Sequence, residues 1–205
     1  MNPTLCLGTA QFGLPYGISN TVGQVPEDEV ARILRLASSR GICWIDTAQG
    51  YGQSEAVLGR VCSPNNHLRF ISKLPPQTND NVNWDSDFKA SLCRLGVSYL
   101  DAFLVHHSND LLGPKGTSLL NWLESLQERG LVKRIGVSIY DASELKYLPL
   151  DRLQIIQLPL SLYDQRLFQD GTINHLIDLG LSVHARSVFL QGLLLQHPDQ
   201  WPSFL

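Results

Sequence analysis

Seven short apolar runs alternate with segments patterned as helices along this 205-residue chain, and that alternation restricts the fold more than any other feature of the sequence. The runs lie at 5–9, 42–46, 69–73, 101–106, 134–139, 155–158 and 181–185. Ile42, Cys43, Trp44 and Ile45 carry almost no polar atom, which suits a strand covered on both faces, as in parallel sheets with helices outside. Between the runs, apolar residues recur at three and four: Val30, Ile33, Leu34 and Ala37, then Phe88, Leu92 and Leu95, then Leu119, Leu120, Leu123 and Leu126, then Ile173, Leu176 and Ile177. Start signals precede them. Pro26 is followed by Glu27, Asp28 and Glu29, Ser54 and Glu55 open a helix through Val57, Leu58 and Val61, Asp85 or Ser86 caps the next, and Asp141 with Glu144 forms a capping box. Gly41, Gly96, Gly130 and Gly180 stop four of the helices. After the first strand, Gly8, Gly13 and Gly17 let the backbone of a loop approach something closely.

Such alternation builds either an open doubly wound sheet or a (β/α)8 barrel. Asp46, Lys73 and His106 end three consecutive strands, and in a barrel consecutive strands are neighbours whose ends ring one mouth. Tyr51 follows in the loop above Asp46. Taken alone, Asp46 could cap a turn and Tyr51 could pack on a neighbour; a lysine finishing a buried strand, however, needs a partner, and Asp46 is the one at hand. No GxGxxG follows the first strand, so the dinucleotide signature of the open sheet is missing. The reading is an α/β chain, one domain over residues 1–205, arranged as a TIM-type barrel.

Composition excludes other classes. With 43% hydrophobic residues the chain can bury a core, and a net charge of −3 gives no reason to expect nucleic acid or an anionic membrane as partner. Cys6, Cys43, Cys62 and Cys93 lack CxxC spacing and read as buried thiols of a reducing compartment; with no leader and no run of transmembrane length, the expected location is cytoplasmic. His67, His175, His184 and His197 show no ligand spacing, and no metal is expected.

A phenol is too weak an acid to protonate a developing alkoxide near neutral pH unless something stabilises its anion. Lys73 can do that, Asp46 would hold the ammonium in place, and His106 would orient a carbonyl oxygen. Such a tyrosine acid implies reduction of a carbonyl, with a nicotinamide cofactor as the hydride source because no side chain is a hydride donor.

At this point the chain resembles the aldo-keto reductase family over essentially its whole length. LGTAQFG, GICWIDTAQGYGQSEAVLG, ISK, LDAFLVHH, GVSIY, QLPLSLYDQR and ARSVFLQGLL are similar to the family's successive blocks in order and spacing. The resemblance implies that Asp46, Tyr51, Lys73 and His106 form a catalytic tetrad with Tyr51 as proton donor, and that the cofactor is NADPH or, less often, NADH. It implies that Gln157 and Ser138 hold the nicotinamide carboxamide, and that Ser187, Phe189, Gln191 and Gly192 run along the pyrophosphate. Two positions depart from the pattern. Ile139 stands where the family usually has an asparagine, and Arg186 where many members have an aromatic that stacks on the nicotinamide; a guanidinium can stack there or meet the pyrophosphate.

A complete barrel of this kind needs roughly 250 residues. After Leu195 the sequence HPDQWPSFL has neither strand pattern nor helix stripe, so the expectation is a truncated barrel lacking its last β/α unit and, by the resemblance, the adenosine 2′-phosphate pocket. Unpaired edges at 5–9 and 181–185 would then favour self-association. The leading function is a carbonyl reductase of small-molecule substrates. The alternative is an impaired barrel that binds nucleotide or a partner without turnover.

Overall fold

The computed structural model describes residues 4–62, 67–76 and 83–201. Its centre is a parallel sheet of seven strands in sequence order: β1 Cys6–Gly8, β2 Trp44–Asp46, β3 Arg69–Leu74, β4 Ala102–Val105, β5 Ile135–Ser138, β6 Ile155–Pro159 and β7 Ser182–Arg186. Helices α1 Ala10–Gly13, α2 Glu27–Ser39, α3 Ser54–Val61 and α4 Trp84–Leu95 follow the first three strands, and α5 Asn109–Leu112, α6 Gly116–Glu128, α7 Arg166–Gln169 and α8 Thr172–Asp178 follow later ones. The connection after β5 is a 3-10 helix, Ala142–Tyr147, closed by the expected capping box of Asp141 and Glu144. Among the described residues no helix is long and apolar enough to cross a membrane.

The sheet is curled, and three hydrogen bonds show it. Neighbouring strands lie about 4.8 Å apart, so in a flat sheet β2 and β6 would be separated by about 19 Å. Yet Gln157 on β6 donates to Asp46 on β2 at 2.6 Å. The loops after β1 and β7, further apart still in strand order, are joined by Ile18 N to Gln191 Oε1 at 3.2 Å and Ser19 Oγ to Gln191 O at 3.0 Å. Among the described residues β1 pairs only with β2 and β7 only with β6, leaving one free edge each.

Register sorts the side chains into two faces, because paired residues in neighbouring strands point the same way. Trp44 pairs with Cys6 and Arg69, Lys73 with Leu104, Leu104 with Gly136, Gly136 with Ile155, and Gln157 with Ser138 and His184. These residues share the concave face. Its middle is apolar: Ile71, Ala102, Leu104 and Ile155 are wholly buried, with Trp44 packed against them. The convex face presents Ile45, Phe70, Phe103, Val137 and Ile156 to the helices, whose Val30, Leu58, Phe88 and Leu123 complete the main core.

Four local expectations differ from the structure. The cap of α4 is Asn83, whose side chain accepts from Ser86 N, rather than Asp85 or Ser86; Asp85 instead faces Arg129 and Trp122. Residues after β1 form the short helix α1 instead of a plain loop. Ile177 is 53% exposed because α8 buries only Ile173 and Leu176. None of the four cysteines is buried: Cys6 and Cys93 are exposed and Cys43 and Cys62 partly so, and none of them forms a disulfide among the described residues. Cys93 lies off the stripe of Phe88, Ser91 and Leu95, and Cys6 sits on an edge strand.

At Gly13 two backbone segments approach closely. A Cβ there would lie 1.9 Å from Tyr51 O, 2.3 Å from Ser54 N and 2.8 Å from Gln53 N. All three are backbone atoms, so neither side can yield without moving the loop that carries Tyr51. Gly13→Ala is expected to cost about 1–3 kcal/mol, the usual range for overpacking. Equilibrium denaturation measures it; an unchanged midpoint would mean that the two loops part freely.

Candidate active site

The mouth is built from strand ends. Asp46 ends β2, Lys73 lies near the end of β3, His106 directly follows β4, Ser138 ends β5, Gln157 is central in β6 and Arg186 ends β7. Lys73 is almost wholly enclosed, its side chain 1% exposed against 15% for Asp46. An ammonium carries three protons and no acceptor. Here two are donated, to Asp46 Oδ1 and to Thr47 O at 3.0 Å, and Tyr51 lies beside the same ammonium, its ring centroid 5.1 Å from Nζ. Burial alone would push the Lys73 pKa down; the charge of Asp46 and its hydrogen bond, with Tyr51 alongside, hold it above the ordinary lysine value.

Tyr51 reaches this ammonium because its loop is fixed at several points. Tyr51 N donates to Ala48 O and Ser54 N to Tyr51 O, both at 3.0 Å. Below, three fully buried hydroxyls interlock: Ser54 Oγ bonds Thr9 O and Thr9 Oγ1 at 2.9 Å, Thr47 Oγ1 meets Ser54 Oγ at 3.0 Å, and Thr9 Oγ1 meets Asp46 O at 2.9 Å. One cluster therefore joins the ends of β1 and β2 to the start of α3. The Tyr51 ring stands edge-on to the His106 ring, centroids 5.8 Å apart, and 5.1 Å from Lys73 Nζ.

His106 is neutral. Burial, then the positive charge of Lys73 and the neighbouring His107, pushes its pKa down from 6.5 to about 4. Its Nδ1 is buried and, among the described residues, the one buried side-chain nitrogen or oxygen without a hydrogen-bond partner. A buried polar atom left unpaired costs stability.

Ser138 Oγ accepts from Arg186 Nε at 3.3 Å, so its own proton remains to be given, while Gln157 donates to Asp46 and keeps its carbonyl oxygen as an acceptor. One donor and one acceptor on adjacent strands match a primary carboxamide. Arg186 lies across Tyr140, 4.0 Å from the ring centroid, and donates to Ile139 O at 3.1 Å; the Ile139 side chain is wholly buried. Beyond Arg186 the loop turns through Ser187, Leu190, Gln191 and Gly192, all at positive φ. Gly192 is needed there, since a Cβ would come within 2.4 Å of Ser19 Oγ. Within this turn Leu190 N donates to Ser187 O at 2.9 Å and Gly192 N to Phe189 O at 3.0 Å. Phe189 is the exception. Its side chain is 55% exposed and lines an apolar hollow of about 510 Å3 with Leu162, Phe168 and Ala185, on the convex side and away from Lys73. A smaller polar cavity of about 330 Å3 opens beside His107, Tyr140 and Asn109 at the mouth.

Sequence reasoning missed Glu55. On an amphipathic helix a glutamate reads as solvated, but this one is 2% exposed. Its carboxylate receives Ser72 Oγ at 2.6 Å, Ser91 Oγ, and Arg94 Nε at 2.8 Å. It thus fastens α3, which begins just after Tyr51, to the residue before Lys73. The small polar residues Ser72 and Ser91, facing a packed helix, were the available signal.

Comparison with known proteins places these residues in context. Residues 4–202 match the model of the Aldo/keto reductase family. An aldo-keto reductase from Mycolicibacterium vanbaalenii is 35% identical over 133 residues, covering 60% of this chain and 45% of that protein. The chain spans 45% to 65% of the length of the curated relatives it matches first. Among solved structures, glycerol dehydrogenase from Gluconobacter oxydans is 26% identical with a TM-score of 0.72, covering 98% of this chain and 65% of that one. An aldo/keto reductase from Klebsiella pneumoniae, solved in complex with NADP and acetate, is 22% identical with a TM-score of 0.76 and covers 95% and 67%; this likeness is one of fold.

Two outcomes follow from the charges. Asp46→Asn leaves Lys73 buried without its counter-ion and is expected to cost up to about 3–5 kcal/mol; a thermal midpoint equal to wild type would mean that Lys73 finds another partner. As for acid, the unfolded chain takes up a proton on His106 near pH 6.5 while the folded chain refuses it until about pH 4. Stability should therefore fall as pH drops through that window. His184, also held down by burial, adds to the slope. Denaturation midpoints at pH 7 and pH 5 should differ less in His106→Gln; an equal difference would refute the assignment.

Proposed function

The chain belongs to the aldo/keto reductase family, and from that premise we propose that it is an oxidoreductase reducing a small-molecule carbonyl with NADPH, Tyr51 giving the proton. The observation that carries this reading is the buried Lys73 ammonium, held by Asp46 and set beside Tyr51 with Nζ 5.1 Å from the ring centroid. Because an ammonium only donates, a hydrogen bond between the two runs from Lys73 to the Tyr51 oxygen, which leaves the phenolic proton for a substrate oxygen.

The reduced nicotinamide supplies the hydride when bound. The chain's own residues do the rest. Neutral His106, beside the Tyr51 ring, donates to the carbonyl oxygen and holds it in line. As the carbonyl carbon gains hydride, its oxygen takes the Tyr51 proton and becomes a hydroxyl; the phenolate left behind is stabilised by Lys73 and is reprotonated from solvent. Asp46 keeps Lys73 charged, and Gln157 fixes Asp46 from the opposite side. Ser138 and Gln157 would hold the carboxamide, and the backbone turn from Ser187 through Gln191 to Gly192 would take the pyrophosphate. Arg186, already beside Ser138, would flank the nicotinamide, while Phe189 contributes backbone only. The NADP bound by the Klebsiella pneumoniae protein supports the choice of cofactor.

Tyr51→Phe keeps the ring and removes the phenolic oxygen together with its proton. It should lower kcat by about 10²–10⁴-fold while NADPH binding, followed by titration calorimetry, stays near wild type. Oxidation of NADPH at 340 nm across a panel of aldehydes and ketones reads the rate. A variant keeping more than about half of wild-type kcat would take Tyr51 out of the mechanism, and NADPH binding without turnover of any carbonyl would favour a nucleotide-binding role instead.

A further inference from the structure

The concave face has a second polar end, opposite the mouth. There Trp44, at the start of β2, carries two guanidiniums: Arg69 at 5.2 Å and Arg134 at 5.2 Å from the indole centroid. Arg69 is the register partner of Trp44, whereas Arg134 precedes β5 and meets the indole only because the sheet is curled. The wholly buried layer of Ile71, Ala102, Leu104 and Ile155 separates this pair from Lys73.

Among the described residues neither arginine has a carboxylate in ion-pair contact. Asp101 is the carboxylate whose charge reaches Arg134, but its Oδ1 is taken by Lys133 at 2.9 Å and its Oδ2 by Phe70 N at 3.2 Å. Of five N–H donors on each guanidinium, Arg134 spends one on Ser182 Oγ at 3.3 Å, and Arg69 makes its contact through the indole face. Arg134 is half-buried, and burial together with the charge of Arg69 makes its cation less favourable than usual. Two like charges brought together with their donors unspent form a receptor for an anion.

We propose that Arg69 and Arg134, with the Ser182 hydroxyl, bind a tetrahedral oxyanion of the phosphate class at the end of the sheet opposite the tetrad. Two forks of donors match the several oxygens of a phosphoryl group, and its two negative charges balance two guanidiniums, which a single carboxylate does not. The ion is either free phosphate or the head of a phosphomonoester. His184 is a built-in reporter. It shares the concave face, feels the charge of Arg134, and its pKa is held down by burial and by that charge, so an anion between the arginines must raise it.

The whole chain is titrated with inorganic phosphate and with glycerol phosphate at constant ionic strength in chloride, by calorimetry and by following the His184 ring in NMR spectra against pH. The expected result is one saturable site and an upward shift of the His184 titration. Arg69→Gln, at an exposed side chain, and Arg134→Gln should each weaken binding about tenfold or more, the loss typical of a charge-assisted partner. Tighter binding of glycerol phosphate identifies a monoester, and equal binding the free ion. Absence of saturation, a His184 titration that does not move, or binding undiminished in Arg69→Gln but lost in Arg186→Gln would overturn the proposal, the last by placing the ion at the mouth.

Discussion

A single carboxylate holds the mouth in shape. Asp46 receives Lys73 on one oxygen and Gln157 on the other, and so ties β2 to its neighbour β3 and to β6 across the curl. Take it away and two things fail together: the buried ammonium loses its counter-charge, and the sheet loses a bond that spans the concave face. Coupling charge compensation to curvature explains why an otherwise costly buried lysine is tolerated at the end of a strand. It also makes the geometry around Tyr51 depend on the same atoms that neutralise Lys73.

Seen along the strands, the concave face is layered. Ionised and hydrogen-bonding groups occupy one end, a dry apolar layer follows, and arginines with an indole close the other end. The apolar layer keeps water from the floor of the mouth, so the Lys73 and Asp46 charges interact in a weakly screened setting. The same setting depresses His106 and keeps it uncharged beside a cation. Tyr51 is not embedded in this layer at all. Its place is set from outside, by the buried hydroxyls of Thr9, Thr47 and Ser54 and by the close approach of Gly13.

Much of this was legible from residue order. Strand period, glycine stops and capping pairs located all seven strands, because each is a local property of a few residues. Convergence of Asp46, Lys73 and His106 followed from assuming that neighbouring runs pair, and it held because the strand order is sequential. What escaped depended on contacts between distant elements. Glu55 carries no sign in its own helix that Ser72, Ser91 and Arg94 will surround it; Arg134 belongs with Trp44 only after the sheet curls; and the Phe189 side chain turns outward because the loop passes through left-handed residues that no local pattern announces. The cysteines erred for the same reason, since exposure at an edge strand is a property of the sheet and not of the residue.

The bonds from Ile18 and Ser19 to Gln191 also set an order of events in folding. They join residues 173 and 172 positions apart, whereas β2, β3 and β4 meet through short β/α units. Closing so long a loop costs chain entropy that only prior local structure can reduce, and contacts of large sequence separation are the slow ones. The strands bearing Asp46, Lys73 and His106 are therefore expected to come together first and the turn at Gln191 to dock last. The mouth would then be completed from the strand ends bearing Asp46, Lys73 and His106 toward the loop at Gln191, with those side chains in register before the sheet has acquired its final curvature.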